Sequence, residues 1–243
     1  MATPYEIDIA MDQYTVDALT NAGFQLFAFK GVQANSGAGA PVVWFASSVF
    51  GKSTSVKWTE QYQGYTGGAG LISGGSIADI NSYDMNLDQT LNVTNPSGTG
   101  EVADGGTKDA ITLVNNSGGT PFTAGISESV EGGSPTPLCA FPLYGSETLQ
   151  IAPIEKVLLM FAIASTNTGD VVYNAFTDGV LIDLTQSHTR QVNFDINKRW
   201  DWGNAGWGTP VLNTAHLAPL LIDTPTSSAA QTLIGGKHRV KAA

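Results

Sequence analysis

The sequence predicts an all-β protein, an antiparallel β-sandwich with one short N-terminal helix. Three observations carry that prediction. Roughly a dozen short segments of apolar residues, most alternating with polar ones and separated by turn residues, recur along the chain. Repeated amphipathic helices of ten or more residues, which parallel α/β folds place between strands, are absent. Finally, the stretch Gly31 to Thr54 has an ungapped counterpart ninety-four residues later, Gly125 to Thr148, with Gly31/Gly125, Gly39/Gly133, Pro41/Pro135, Ala46/Ala140, Gly51/Gly145 and Thr54/Thr148 identical. That offset suggests a two-fold repeat of a β unit.

The elements follow in order. Tyr5, Ile7, Ile9 and Met11 alternate with Glu6, Asp8 and Ala10, which gives a strand with one wet face. Thr15 to Ala22 carries Val16, Leu19 and Ala22 at helical spacing, with Gly23 where a left-handed cap would close a short helix. Phe24 to Ala34 reads as a core strand, and a loop over Asn35 to Pro41 returns it as a hairpin to Val42 to Ala46. From Thr54, the residues Val56, Trp58 and Tyr62 point one way and Lys57, Thr59, Gln61 and Gln63 the other. A loop with five glycines, Thr66 to Ser76, then precedes a strand built on Met85, Leu87, Leu91 and Val93.

Asn95 to Thr107 is rich in Pro, Gly and acidic residues and predicts a boundary. The expected organisation is a first β unit over 1–95, a linker or long loop over 96–107, a second β unit over 108–222 and a polar, basic tail over 223–243, with the two units in separate domains or in one. In the second unit, Ala110 to Asn115, Phe122 to Val130, Leu138 to Tyr144 and a central strand over Lys156 to Ala164 are expected. Strands on Val180, Ile182 and Leu184 and on Val192, Phe194 and Ile196 come next. Val211 to Ile222, broken by Pro219, reads as a strand or a single helical turn.

Composition bounds the function. The chain of 243 residues is long enough to bury a core without disulfides or metal. Its hydrophobic fraction of 42% is ordinary, but its charged fraction of 13% is about half the usual share, so its polar surface rests on uncharged side chains. Such surfaces suit proteins that bind sugars, assemble, or meet membranes. The net charge of −10 argues against nucleic acid as a partner, because phosphates call for a basic stripe. The one basic run, Lys237 to Lys241, reads as a solvated end. Cys139 is the only cysteine and sits in an apolar run, as a buried small hydrophobe would. The N-terminus lacks the basic and apolar regions of a classical signal peptide, so synthesis in the cytoplasm is expected, with later release to act outside the cell left open. The sequons at Asn92 and Asn115 are then expected to be unused.

Several constellations bear on chemistry. Three of the five tryptophans fall within Trp200 to Trp207. A Trp face stacks on a sugar ring or settles at a lipid headgroup, so Trp200, Trp202 and Trp207, with Arg199, Asp201 and Asn204 as orienting polar groups, form the candidate ligand site. The competing reading is that these tryptophans plug one end of the sandwich. Leu71 and Ile72, at the tip of the glycine-rich loop, are the candidate membrane contacts of a pore-forming hairpin, or else apolar residues that fold back on the core. Asp84, Asn86 and Asp88 begin like a calcium loop, but Gln89 and Asn95 break the pattern, and no metal site is expected. Asp104, Gly105, Gly106 and Asp109 read as a solvated loop. No nucleophile elbow, Walker or dinucleotide motif is present, and His188, His216 and His238 have no zinc spacing.

The expected function is therefore non-enzymatic recognition of a glycan or glycolipid, in the style of small defence lectins and toxins, without a cofactor. Alternatives are a membrane-active pore-forming toxin and a self-assembling structural subunit that forms homo-oligomers. A β-fold hydrolase would require an acidic pair to converge with His188 in a cleft.

Overall fold

Alternating apolar residues bury one face of each strand only when a second sheet covers them, and two such sheets meet here. The computed structural model describes residues 3–68, 70–77 and 80–225. Up to the middle of the chain, the elements are β1 (Pro4–Ala10), α1 (Gln13–Ala22), β2 (Gln25–Ala34), β3 (Ala40–Pro41), β4 (Phe45–Ser47), β5 (Ser53–Gly67), β6 (Asn81–Met85), β7 (Gln89–Val93), β8 (Gly100–Asp104) and β9 (Ile111–Asn115). They continue with β10 (Phe122–Val130), β11 (Thr136–Pro137), β12 (Cys139–Leu143), β13 (Thr148–Ala162), β14 (Gly179–Asp183), β15 (Thr189–Asp195), β16 (Arg199–Asp201), β17 (Gly208–Val211), α2 (Ala218–Leu221) and β18 (Ile222–Asp223).

Sheet one runs β16-β15-β1-β5-β10-β12-β3, with β6 also on β5 and β11 on β10. Sheet two runs β17-β14-β13-β9-β7-β8, with β2 on β13 and both β4 and β18 on β2. The result is the expected all-β, sandwich-like fold with a short helix. Most pairs are antiparallel, but β1/β15, β7/β9 and β18/β2 are parallel. The inner faces enclose one large core that includes Ile7, Ile9, Leu26, Ala28, Val56, Ile126, Val157, Leu159 and Val192. A second apolar layer, with Phe27, Phe29, Leu158, Met160, Val172, Val211 and Leu221, covers the outer face of sheet two.

Local chemistry accounts for the departures from expectation. The helix starts earlier than predicted because Asp12 caps it, accepting from the Thr15 N–H at 2.7 Å. Gly23 closes it in the left-handed conformation with φ 74°. The single strand expected over Met85 to Val93 is divided by a turn at Asp88, φ 71°, so that β6 belongs to sheet one and β7 to sheet two. Residues 96–107 are not a linker, since β8 lies within them and pairs with β7. Strands from 1–95 and from 108–222 occur together in both sheets, and neither unit has a sheet of its own. The tail beyond Pro225, with Lys237 to Lys241 and His238, lies outside the described residues.

The two stretches related by sequence occupy different surroundings. Gly31 lies on β2 in sheet two, whereas Gly125 lies on β10 in sheet one between β5 and β12. Pro41 pairs with Cys139, and Pro135 precedes β11. Asn115 is buried, and its side-chain amide donates to the carbonyls of Thr120 and Leu143 at 2.7 and 3.2 Å, so this sequon nitrogen is engaged inside the fold.

Close packing at Gly125 yields a first prediction. A Cβ there would intrude on the Cys139 carbonyl oxygen and come within 2.8 Å of the Tyr65 hydroxyl, which itself donates to that carbonyl at 2.7 Å. Gly125→Ala is expected to lower stability by about 1–3 kcal/mol, read as a lower urea midpoint with unchanged slope. Cys139 yields a second, because burial pushes its thiol pKa up to about 12. The native chain should leave a thiol reagent unreacted at pH 8, where the thiol is protonated, and one thiol should titrate in guanidinium.

Candidate functional site

The tryptophan segment starts on a hairpin. Strands β15 and β16 pair Phe194 with Trp200 and Asp195 with Arg199. The Asp195 carboxylate accepts from the Asn197 and Lys198 N–H groups at 2.8 and 2.9 Å, which makes the turn and holds its pKa below the usual carboxylate range. Along β16, strand alternation sends Arg199 and Asp201 outward and Trp200 inward, and Trp202 follows just past the end of the strand. Trp200 turns inward, stacked on Phe161 with centroids 5.6 Å apart and edge-on to Phe194 at 4.8 Å. It belongs to the core, so its expected place on a ligand platform is corrected. The inward phase that brings Phe194 into the core carries its cross-strand partner with it.

The remaining residues divide, with the polar ones at the surface and Trp202 and Trp207 resting against the edge of the main core. Arg199, Asp201 and Asn204 are exposed, while Trp202 and Trp207 are half-buried. Asp201 accepts from the Gly203 N–H at 2.9 Å, and Gly203 and Asn204 turn the chain in left-handed conformations. Trp202 lies against Gly208, where a Cβ would come within 2.5 Å of the ring. The Arg190 guanidinium sits 5.0 Å from the Trp207 ring centroid, and its Nε donates to the Asp183 carbonyl at 3.1 Å. Asp183 in turn donates its N–H to the Trp207 carbonyl at 2.7 Å. A depression of about 310 Å³ adjoins this face, lined by Asp12, Asn193, Asp195, Lys198, Arg199 and Asp201 among others.

The other candidates are placed as follows. Leu71 packs against the small core of Ala40, Val42, Ala140 and Val171, whereas Ile72 is 73% exposed. The loop is fastened by hydrogen bonds from Gly74 to Val171 and from Val171 to Gly75, at 2.8 and 3.0 Å, and by the Ser76 hydroxyl on Asp170. Asp88 and Asp104 line a depression of about 450 Å³ together with Lys108. Among the described residues, no group of three or more His, Cys, Asp or Glu is placed to hold a metal ion. His188 packs on Tyr5, ring centroids 4.7 Å apart. The nearby depression of about 380 Å³ has Glu6, Lys57 and Glu131 in its lining, but not His188.

Sequence reasoning missed one constellation. Lys30 lies at the same strand phase as the core residues Leu26, Ala28, Val32 and Ala34, and Glu128 at the phase of Ala124, Ile126 and Val130. Their side chains meet across the sandwich at 2.6 Å, both fully inaccessible to solvent. The Glu155 carboxylate lies 3.9 Å from the same ammonium. Around Lys30 Nζ stand the rings of Trp58, Trp44, Tyr5 and Tyr62, with centroids at 5.2, 5.6, 5.9 and 5.9 Å. The Trp44 indole donates to the Glu128 carbonyl at 3.1 Å, and the Tyr5 hydroxyl donates to Glu60 at 3.2 Å.

Electrostatics inside this box follow from dehydration. Burial raises the Glu128 pKa to about 7 even with Lys30 in contact. Burial also opposes the Lys30 ammonium, but the carboxylates of Glu128 and Glu155 outweigh it and leave the amine above the ordinary lysine value. Tyr5 and Tyr62, desolvated and beside carboxylates, keep their protons far into the alkaline range. The readable signal was a lysine in phase with the apolar residues of the run Gln25–Ala34, facing a glutamate in the same position on Phe122–Val130.

Comparison with family models, characterised proteins and solved structures gives no match.

The division among the tryptophans is measurable. Trp200→Ala is expected to cost about 3–5 kcal/mol in chemical unfolding, as loss of a buried ring does, and Trp202→Ala only about 1 kcal/mol.

Proposed function

We propose that this is a non-enzymatic binding protein that recognises a glycan, free or carried on a lipid, at the face formed by Trp202 and Trp207. The observation that carries the reading is the pairing of these two half-buried indoles with the exposed side chains of Arg199, Asp201 and Asn204 on one anchored segment. A sugar ring offers C–H groups to an aromatic face and hydroxyls to charged or amide groups at its rim, and both kinds of partner are here. Trp200 contributes by fixing the segment to Phe161 and Phe194, which reduces the ordering cost of binding. Contact with a membrane has one observation in its favour, the 73% exposure of Ile72. The anchoring of Leu71 beside it supports a short tip over a long inserting hairpin.

A glycan array with the wild-type chain, Trp202→Ala and Trp207→Ala tests this reading. A defined hit should weaken at least tenfold in either variant, while Ile72→Ser binds as the wild type does. A blank array, or a hit indifferent to both tryptophans, would overturn it. Dye release from liposomes that is abolished by Ile72→Ser would favour the membrane reading instead.

A further inference from the structure

The ion pair at the centre of the sandwich has no role in glycan recognition, and its geometry is that of two reactants. We propose that Lys30 and Glu128 condense into an intramolecular isopeptide bond that staples sheet one to sheet two, with Glu155 carrying the protons. Lys30 Nζ is 2.6 Å from Glu128 Oε2, so only one C–O bond separates the contacted atom from the carbon to be attacked. Both side chains are held in a closed box at zero exposure, which fixes their approach and excludes the water that would reverse the reaction. Effective molarities for groups held this way reach about 10⁵–10⁸ M.

The step balances without any co-reactant. Nζ loses a proton and attacks Glu128 Cδ, forming the N–C bond; one Cδ–O bond then breaks, and the departing oxygen leaves as water with two protons from the former ammonium. The remaining nitrogen keeps one hydrogen as an amide N–H. An ammonium and a carboxylate become a neutral amide and one water, so charge is conserved. Glu155, 3.9 Å from Nζ, is the group placed to accept the proton from nitrogen and return it to the leaving oxygen. Burial lifts the Glu128 carboxyl to about 7, toward the neutral form that an amine attacks more readily, whereas the two carboxylates hold Lys30 as the ammonium, so the proton must pass from nitrogen to Glu155 before attack.

The surroundings favour the product over the pair. A buried ion pair loses hydration that its mutual attraction only partly restores, and a neutral amide has no such debt. The aromatic walls, Tyr5, Trp44, Trp58 and Tyr62, accept an amide as readily as a cation. Glu128 Oε1 and the Trp58 indole N–H are both buried without a hydrogen-bond partner among the described residues, and condensation leaves one acceptor oxygen where the carboxylate had two.

The test is mass spectrometry of the purified full chain under denaturing conditions, followed by peptide mapping. The wild type should be lighter than its sequence by one water, and trypsin should fail to cut after Lys30, whose peptide should appear joined to the one ending at Lys156. Because that tryptic peptide contains both Glu128 and Glu155, a second cut with chymotrypsin assigns the acceptor. Lys30→Arg should restore the full mass, which separates the cross-link from dehydration at Asp104-Gly105 or Asp178-Gly179. Glu155→Gln should leave at least tenfold less of the joined peptide. A wild-type chain of full mass with normal cleavage after Lys30 overturns the proposal, as does a link to Glu155. A water loss that persists in Lys30→Arg does the same. The wild-type readings require no variant to fold.

Discussion

A lysine ammonium in the middle of a β-sandwich imposes more on this molecule than any other single group. Moving such a charge out of water costs several kcal/mol even after relaxation, so everything within reach must answer it. Sheet one supplies Glu128 and sheet two supplies Glu155, with four aromatic rings forming the walls. The demand extends to the backbone. Opposite Gly31 the register of β2 and β13 shifts, so that Ile154, Glu155 and Lys156 face one residue. A side chain at Gly31 would meet Ile154 at 2.9 Å, and Pro153, without an N–H to donate, stands where the regular ladder breaks.

The same logic of one inward residue fixing its neighbours governs the surface site. Trp200 is held by Phe161 and Phe194, and the chain that leaves it is bent through Gly203 and Asn204 and brought back to Gly208 under Trp202. Arg190 closes the arrangement by lying over Trp207 while bonding the Asp183 carbonyl. The hairpin and its return are therefore tied to β14 and β15 as well as to β16. Low charge elsewhere on the chain gives the cluster of Asp195, Lys198, Arg199 and Asp201 added prominence on the surface.

What could be read from the sequence was what alternation alone decides. The strand at Tyr5 to Met11, the Gly23 cap and the strand Phe122 to Val130 all follow from local pattern, and each is present with bounds within about two residues, the usual latitude for such ends. Breaks that depend on one residue's conformation were hidden, as at Asp88, where an apparently continuous alternation crosses from one sheet to the other. The full lengths of β5 and β13 were hidden as well. Gly64 and Pro153 look like terminators, yet Gly64 makes room for the Met85 sulfur and Pro153 stands at a register shift. At the surface site, residue types were legible but direction was not, since the burial of Trp200 follows from its register with Phe194. Lys30 escaped because hydropathy averaged over the run Gln25–Ala34 conceals a single charge, whereas phase along the strand exposes it.

The parallel pairing of β1 with β15 bears on how the chain reaches this form. Residues Glu6 to Ala10 are flanked on one side by Ser53 to Lys57 and on the other by Thr189 to Asn193. During synthesis this strand emerges before either partner, gains its first with Ser53 to Lys57, and keeps its second edge open until Thr189 to Asn193 have been made. Contacts so distant along the chain slow folding, typically to milliseconds or seconds, and leave an unpaired strand edge open to other chains in the interval. Crowded translation would thus expose this protein to its greatest hazard before the ribosome has finished with it.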